Sequence, residues 1–227
     1  MSSFFNMDSP IMRFMSRICD LMILNLLCIV CCIPIITAGA SVTALYSVTL
    51  KMVKGEESYI FKGFFKSFKE NFKQSTISWV IMAFIGIFIF IDYRAASFLQ
   101  ENLVSVFRIL IGAIVLVYLM VLTYIFPYTA RFENDLKNSF KNSLLIAILN
   151  LPWTLLMVIC PVALGFATFL TSTTLVYGSM LWILLGFATV AYLNSMIFRK
   201  VFAKYEPKEE EVSDSFELPN NTSDNQK

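Results

Sequence analysis

The sequence predicts an all-α protein: a polytopic membrane helix bundle of five to six transmembrane helices, with an interfacial amphipathic helix on the cytoplasmic side. Three observations predict it. The 227 residues are 57% hydrophobic and only 15% charged, with a mean hydropathy of +0.69, too apolar for a water-soluble domain. Leu21 to Leu50 runs without a charge and is longer than the roughly 20 residues a spanning helix needs, yet contains Asn25, Pro34, Thr37, Gly39, Ser41 and Thr43. Further uncharged runs alternate with basic loops as far as Phe198.

The first helix should begin at Pro10, where Ser9 supplies a cap and proline suits the first helical position. Arg13 and Arg17 then lie at the headgroups, and the apolar run carries the chain to Ile33. Basic residues followed by an apolar run and Ala38-Gly39-Ala40 imitate a secretory signal with its cleavage site. The apolar character continues past that point, so the segment is expected to be retained. After a break across Pro34 to Ala40, with Gly39 providing the turn and Thr37 or Ser41 the cap, a second arm restarts. Residues 36–53 either cross the membrane or re-enter it, and the pattern leaves both open.

Lys51, Lys54, Lys62, Lys66, Lys69 and Lys73 against Glu56, Glu57 and Glu70 make the next segment cytoplasmic. Within it Ile60, Phe61, Phe64, Phe65, Phe68 and Phe72 alternate with Lys62, Lys66, Lys69 and Lys73, which predicts a helix with phenylalanine on one side and lysine on the other. Such a helix lies on the inner leaflet or docks on a cytoplasmic partner.

Gln74 to Ile91 and Ile109 to Ala130 read as spans, with the loop between them outside and Arg131, Lys137 and Lys141 inside. Asn142 to Phe198 is long enough for two more, joined near Leu170 to Thr174. Arg199, Lys200 and Lys204 return the C-terminus to the cytoplasm. An N-terminus on the same side favours six crossings over five. The membrane domain should occupy residues 1–204, and residues 205–227 should be a disordered acidic and polar tail.

The functional classes narrow by what is missing. With no histidine, Ser-His and Cys-His catalysis are excluded, and no paired carboxylates mark a cleft. An enzyme is not expected. The five cysteines fall in or beside apolar runs, so neither a disulfide framework nor a metal site is expected, although Cys28, Cys31 and Cys32 share a helix face. No cofactor is expected. A net charge of +2 gives no field for nucleic acid. Asn25, Asn150 and Asn194 lie inside apolar spans, where an amide bonds another helix or lines a polar path.

Three groups of residues are similar to the YesL-like family of bacterial membrane proteins. The first is Asn25-Leu26-Leu27, Ile33 to Ala40 and Thr43 to Tyr46. The second is Phe64 to Phe68 with Asn71 to Gln74, and the third is Pro127 to Phe132 with Asn150-Leu151-Pro152. The resemblance covers about residues 5–204. It implies a multi-pass protein of the cell membrane, of unestablished activity and associated with carbohydrate uptake of the ABC type. The implied partners are the lipid bilayer and sugar transporter subunits, with a homo-oligomer open. The alternative is a small-solute transporter or channel with Asn25, Thr37 and Gly39 near its path.

Overall fold

A computed structural model describes residues 10–56, 59–96 and 101–205. The expected tail from 206 onward lies outside the described residues. Among these residues every regular element is a helix, and six helices are long and apolar enough to cross a membrane. The protein is a multi-pass membrane protein in this sense, at the upper of the two expected counts.

Helix α1 spans Pro10–Cys32. It stops because Pro34 has no N–H to donate and pushes the residue before it out of the helical region. A 3-10 turn, Ile35–Thr37, follows, closed by the Thr37 amide on the Pro34 carbonyl at 2.9 Å. Helix α2, Ala38–Lys54, then runs back. Gly39 does not make the turn, as its permissive backbone had suggested; it is already helical, in the first turn of α2. The arm ends at Gly55, whose positive φ of 77° lets the Gly55 and Glu56 amides reach the Met52 and Lys51 carbonyls.

Helix α3 is continuous from Ile60 to Ala95. The amphipathic segment expected as a separate interfacial helix is therefore its first half. The hydropathy changes at Gln74, but nothing between Phe64 and Ile85 breaks a helix, and 36 residues rise about 54 Å.

Helix α4 covers Glu101–Arg131 and carries Pro127 within it. A short α5, Leu136–Leu149, takes up residues that the sequence assigned to the start of a span. It ends at Asn150, and α6, Leu151–Thr168, begins at once with Pro152 in its first turn. The turn after α6 falls where expected. Thr171 and Thr174 then form a reciprocal capping box that opens α7, Ser172–Leu181. A π turn, Trp182–Gly186, joins α7 to α8, Phe187–Phe202.

Helix α2 is the central pillar, packed by α1, α3, α4 and α8. Its buried residues include Gly39, Ala40, Ser41, Thr43, Ala44 and Ser47, small side chains that let neighbouring backbones come close where lipid removes the hydrophobic drive between helices. The closest approach is at Gly39, where a Cβ would stand 2.5 Å from the Ser75 carbonyl oxygen and 2.6 Å from Trp79 Cβ. That contact sets the register of the antiparallel pair α2 and α3. The tip of the α1–α2 hairpin comes level with Trp79, and Val80 to Ala95 carry α3 about 24 Å further.

Two clusters fill the interior. One is aromatic, with Tyr124, Tyr128, Phe198 and Phe202 around Leu50 and Met157; the rings of Tyr124 and Phe198 meet edge to face at 5.1 Å. The other joins Leu24 and Cys28 of α1 to Ala44 and Val48 of α2, Phe64 of α3 and Ala188 of α8.

Candidate functional site

Asn25 is fully buried in α1 and faces the π turn of the last helix. Its Nδ2 donates to the carbonyls of Trp182 at 3.1 Å and Ile183 at 2.6 Å, and its Oδ1 accepts from the Ala188 amide at 2.9 Å. A π turn inserts one residue into the helical ladder and displaces backbone groups from their regular partners. In an apolar interior those groups need a substitute, and an amide with two donors and an acceptor matches them. The turn also needs Gly186, because a Cβ there would run into the Trp182 ring. Asn25, Trp182 and Gly186 therefore form one unit from two distant parts of the chain.

The other residues singled out around the hairpin act locally. Thr37 Oγ1 donates within reach of the Cys31 and Pro34 carbonyls, at 2.6 and 2.8 Å. Ser41 Oγ reaches across to the Cys28 carbonyl at 2.9 Å and stands 3.4 Å from its sulfur. Of these acceptors Cys31 is among the last four carbonyls of α1, which have no partner within the helix; the Cys28 and Pro34 carbonyls take the hydroxyls as additional donors. Thr43 bonds back to the Gly39 carbonyl at 2.9 Å, and Pro34 stands exposed at the break.

Asn194 of α8 makes a long contact, 3.4 Å, with the Tyr46 hydroxyl, beside a 2.8 Å bond between Thr49 and Ser195. Both pairs tie α2 to α8. Asn150 does not lie within a span as its apolar surroundings suggested. It sits at the α5–α6 junction, where Nδ2 bonds the Ile146 carbonyl at 3.0 Å and contacts the Tyr205 hydroxyl at 3.4 Å. Pro152 starts a new helix there, so the chain turns at Asn150 instead of passing through.

One polar centre has no counterpart among the residues expected from sequence. The Tyr128 hydroxyl accepts from Asn134 and Asn142, both at 2.8 Å, while Gln74 of α3 donates to the Asn134 carbonyl at 2.8 Å and to Ser139 Oγ at 3.0 Å. This ties α3, α4 and α5 together. The only hint in the sequence is a tyrosine at helical spacing from Tyr124, next to a run containing Asn134, Ser139 and Asn142.

The phenylalanine and lysine pattern of α3 is sorted into three strips. Phe64, Ser67, Ser75 and Ser78 are buried, with Phe64 in the cluster of α1 and α2. Phe65 and Phe68 flank that ridge half-buried, while Phe61 and Phe72 are exposed; the rings of Phe61 and Phe65 meet tilted at 4.9 Å and those of Phe68 and Phe72 near edge to face at 5.5 Å. Lys62, Lys66, Lys69 and Lys73 are all exposed, and Lys66 lies 3.9 Å from Glu70. Phe64, Phe65 and Phe68 therefore pack on the bundle, and Phe61 and Phe72 face away from it with the lysines.

Asn25, Ser41, Thr49, Asn194 and Ser195 thus tie helices together, whereas Ser78, Thr123 and Thr129 bond back within their own helices and the buried hydroxyls of Ser75 and Thr76 have no hydrogen-bond partner. The basic ends of three helices come together: Arg17 of α1 donates to the Tyr192 hydroxyl of α8 at 2.9 Å, and Arg199 of α8 to the Val53 carbonyl of α2 at 3.0 Å.

Residues 21–93, which hold the hairpin and most of α3, match the family described as "Protein of unknown function, DUF624". The chain is similar to "Uncharacterized protein YteU" of Bacillus subtilis (strain 168), with 30% identity over 124 residues, 54% of this chain and 55% of the relative. It is similar also to "Uncharacterized protein YesL" of the same organism, with 32% identity over 116 residues, 50% of this chain and 54% of the relative. The chain matches about half the length of these curated relatives. No solved structure matches it. Residues 21–93 thus match the DUF624 family model, and the chain is similar to YesL, the protein whose family its motifs resemble.

Proposed function

We propose that this protein is an accessory or assembly component of a carbohydrate uptake system of the ABC type in the cell membrane, with no catalytic activity of its own. The observation that carries this reading is the use made of the intramembrane polar groups: Asn25, Ser41, Thr49 and Ser195 bond other helices. A carrier spends such groups on a substrate path at the midplane. Here they join helices to one another, and the bundle offers apolar faces to lipid or to other spans.

The lysine side of α3 is the second support. Lys62, Lys66, Lys69 and Lys73 form an exposed strip on a helix that Phe64, Phe65 and Phe68 hold to the bundle, suited to anionic lipid or to a cytoplasmic subunit. The clustered Arg17 and Arg199, with Lys51 and Lys54 at the end of α2, support placing that end and both termini in the cytoplasm. The link to carbohydrate rests on the YesL-like resemblance.

The second reading is a small-solute transporter or channel, and the π turn and broken hairpin favour it, since irregular helices gather at moving parts of carriers. Solute entry into vesicles that contain this protein alone separates the two. An accessory role predicts sugar uptake no faster than in protein-free vesicles; saturable uptake by the purified protein overturns it in favour of the transporter.

A further inference from the structure

A cleft of about 550 Å³ opens between the start of α1 and the facing ends of α2 and α3. Arg13, Arg17 and Asp20 line it from α1, Glu56 lies on the opposite side, and Met52 and Ile60 add apolar surface. Two guanidinium groups and two carboxylates thus share one cleft. A simple anion there meets two like charges, and so does a simple cation. A ligand that carries both signs finds a partner for each.

Arg17 is already positioned. Its Nη1 donates to the Tyr192 hydroxyl at 2.9 Å, which fixes the plane of the guanidinium and leaves other N–H groups of the fork to a ligand. A planar fork suits phosphate oxygens, taken two at a time, and holding it in place beforehand lowers the ordering cost of binding. Asp20 is three residues further along the same helix, so a cationic amine a few ångströms from the phosphate meets a carboxylate. The apolar surface of Met52 and Ile60 accepts the carbon chain that joins or carries them.

We infer that this cleft binds a phosphoethanolamine-type group, a phosphate and a primary amine two carbons apart, as a lipid headgroup or as a free phosphoamine. The full-length protein, purified and stripped of lipid in detergent, is titrated with phosphatidylethanolamine, with phosphatidylglycerol of the same acyl chains and with soluble phosphoethanolamine. Native mass spectrometry reads occupancy. The site prefers phosphatidylethanolamine over phosphatidylglycerol by about tenfold, the worth of one charge-assisted hydrogen bond. Arg17→Gln lowers occupancy by phosphatidylethanolamine about tenfold. Asp20→Asn abolishes the preference without lowering phosphatidylglycerol binding, a change of selectivity that misfolding does not produce. Competition by soluble phosphoethanolamine identifies a free phosphoamine as sufficient, and binding of the lipid alone identifies the headgroup source; either supports the site. Equal occupancy by the two lipids in the unaltered protein, or selectivity unchanged by Asp20→Asn, overturns it.

Discussion

The Asn25 side-chain amide donates to the Ile183 carbonyl at 2.6 Å, across 158 positions of sequence, and so ties the first helix to the irregular turn of the last. Replacing Asn25 with leucine fills the space but leaves the carbonyls of Trp182 and Ile183 and the Ala188 amide without that partner. A loss of about 2 kcal/mol is expected, within the usual penalty for unsatisfied buried groups. A lowered Tm in detergent checks it. An unchanged melting curve means that the turn finds its hydrogen bonds elsewhere.

Gly39 and Gly112 give a matched pair of substitutions. Alanine at 39 places a Cβ against the Ser75 carbonyl and Trp79, whereas a Cβ at 112 meets nothing within 4 Å. Gly39→Ala should destabilise by about 1–3 kcal/mol through overpacking, and Gly112→Ala should be neutral or stabilise by up to about 1 kcal/mol through helix propensity. Thermal unfolding of both variants side by side is the check, and equal shifts contradict the register assigned to α2 and α3.

Tyr128→Phe removes one hydroxyl on which both Asn134 and Asn142 converge. The ring packing with Phe132 at 4.9 Å remains available. The expected cost is about 1–3 kcal/mol, set by the amides left behind and not by the lost ring contact. Faster proteolysis at the α4–α5 connection should accompany it, read by limited digestion and mass spectrometry.

Phe64 and Phe61 test whether the first half of α3 packs on the bundle. Phe64 is 0% exposed and Phe61 is 61% exposed. Phe64→Ala should cost about 3–5 kcal/mol, the range for a buried aromatic, while Phe61→Ala should shift stability by no more than about 0.5 kcal/mol. Equal and small effects place this segment on the membrane surface instead.

Much of this architecture is legible in the sequence because its signals are local. Pro34 ends α1, the turn near Leu170 to Thr174 parts the last two spans, and the uncharged runs mark the candidate spans. What is hidden depends on partners far away in sequence. The polar half of α3 reads as a separate helix because hydropathy changes at Gln74, whereas the backbone has no reason to stop there. Asn150 reads as buried in a span, and it is buried, but at a junction that Pro152 sets. The π turn at Trp182–Gly186 leaves no mark in a pattern of apolar residues, and Asn25 alone says only that some backbone or side chain must answer it. The Tyr128 centre is hidden for the same reason: a hydroxyl in an apolar run gives no hint of which amides reach it.

The most direct test of an accessory role is recovery of the protein from its native cell membrane in mild detergent, with mass spectrometry of what accompanies it. The unaltered protein is compared with a variant in which Lys62, Lys66, Lys69 and Lys73 are changed to Glu. Because all four are exposed, the variant should fold as the original does; since the lysines also count toward the cytoplasmic placement of this segment, protease access confirms the orientation of both proteins before recovery is compared. Transporter subunits in stoichiometric amount with the unaltered protein, and their loss from the variant, are the predicted result. A homo-oligomer with no other subunit, unchanged by the substitutions, contradicts it.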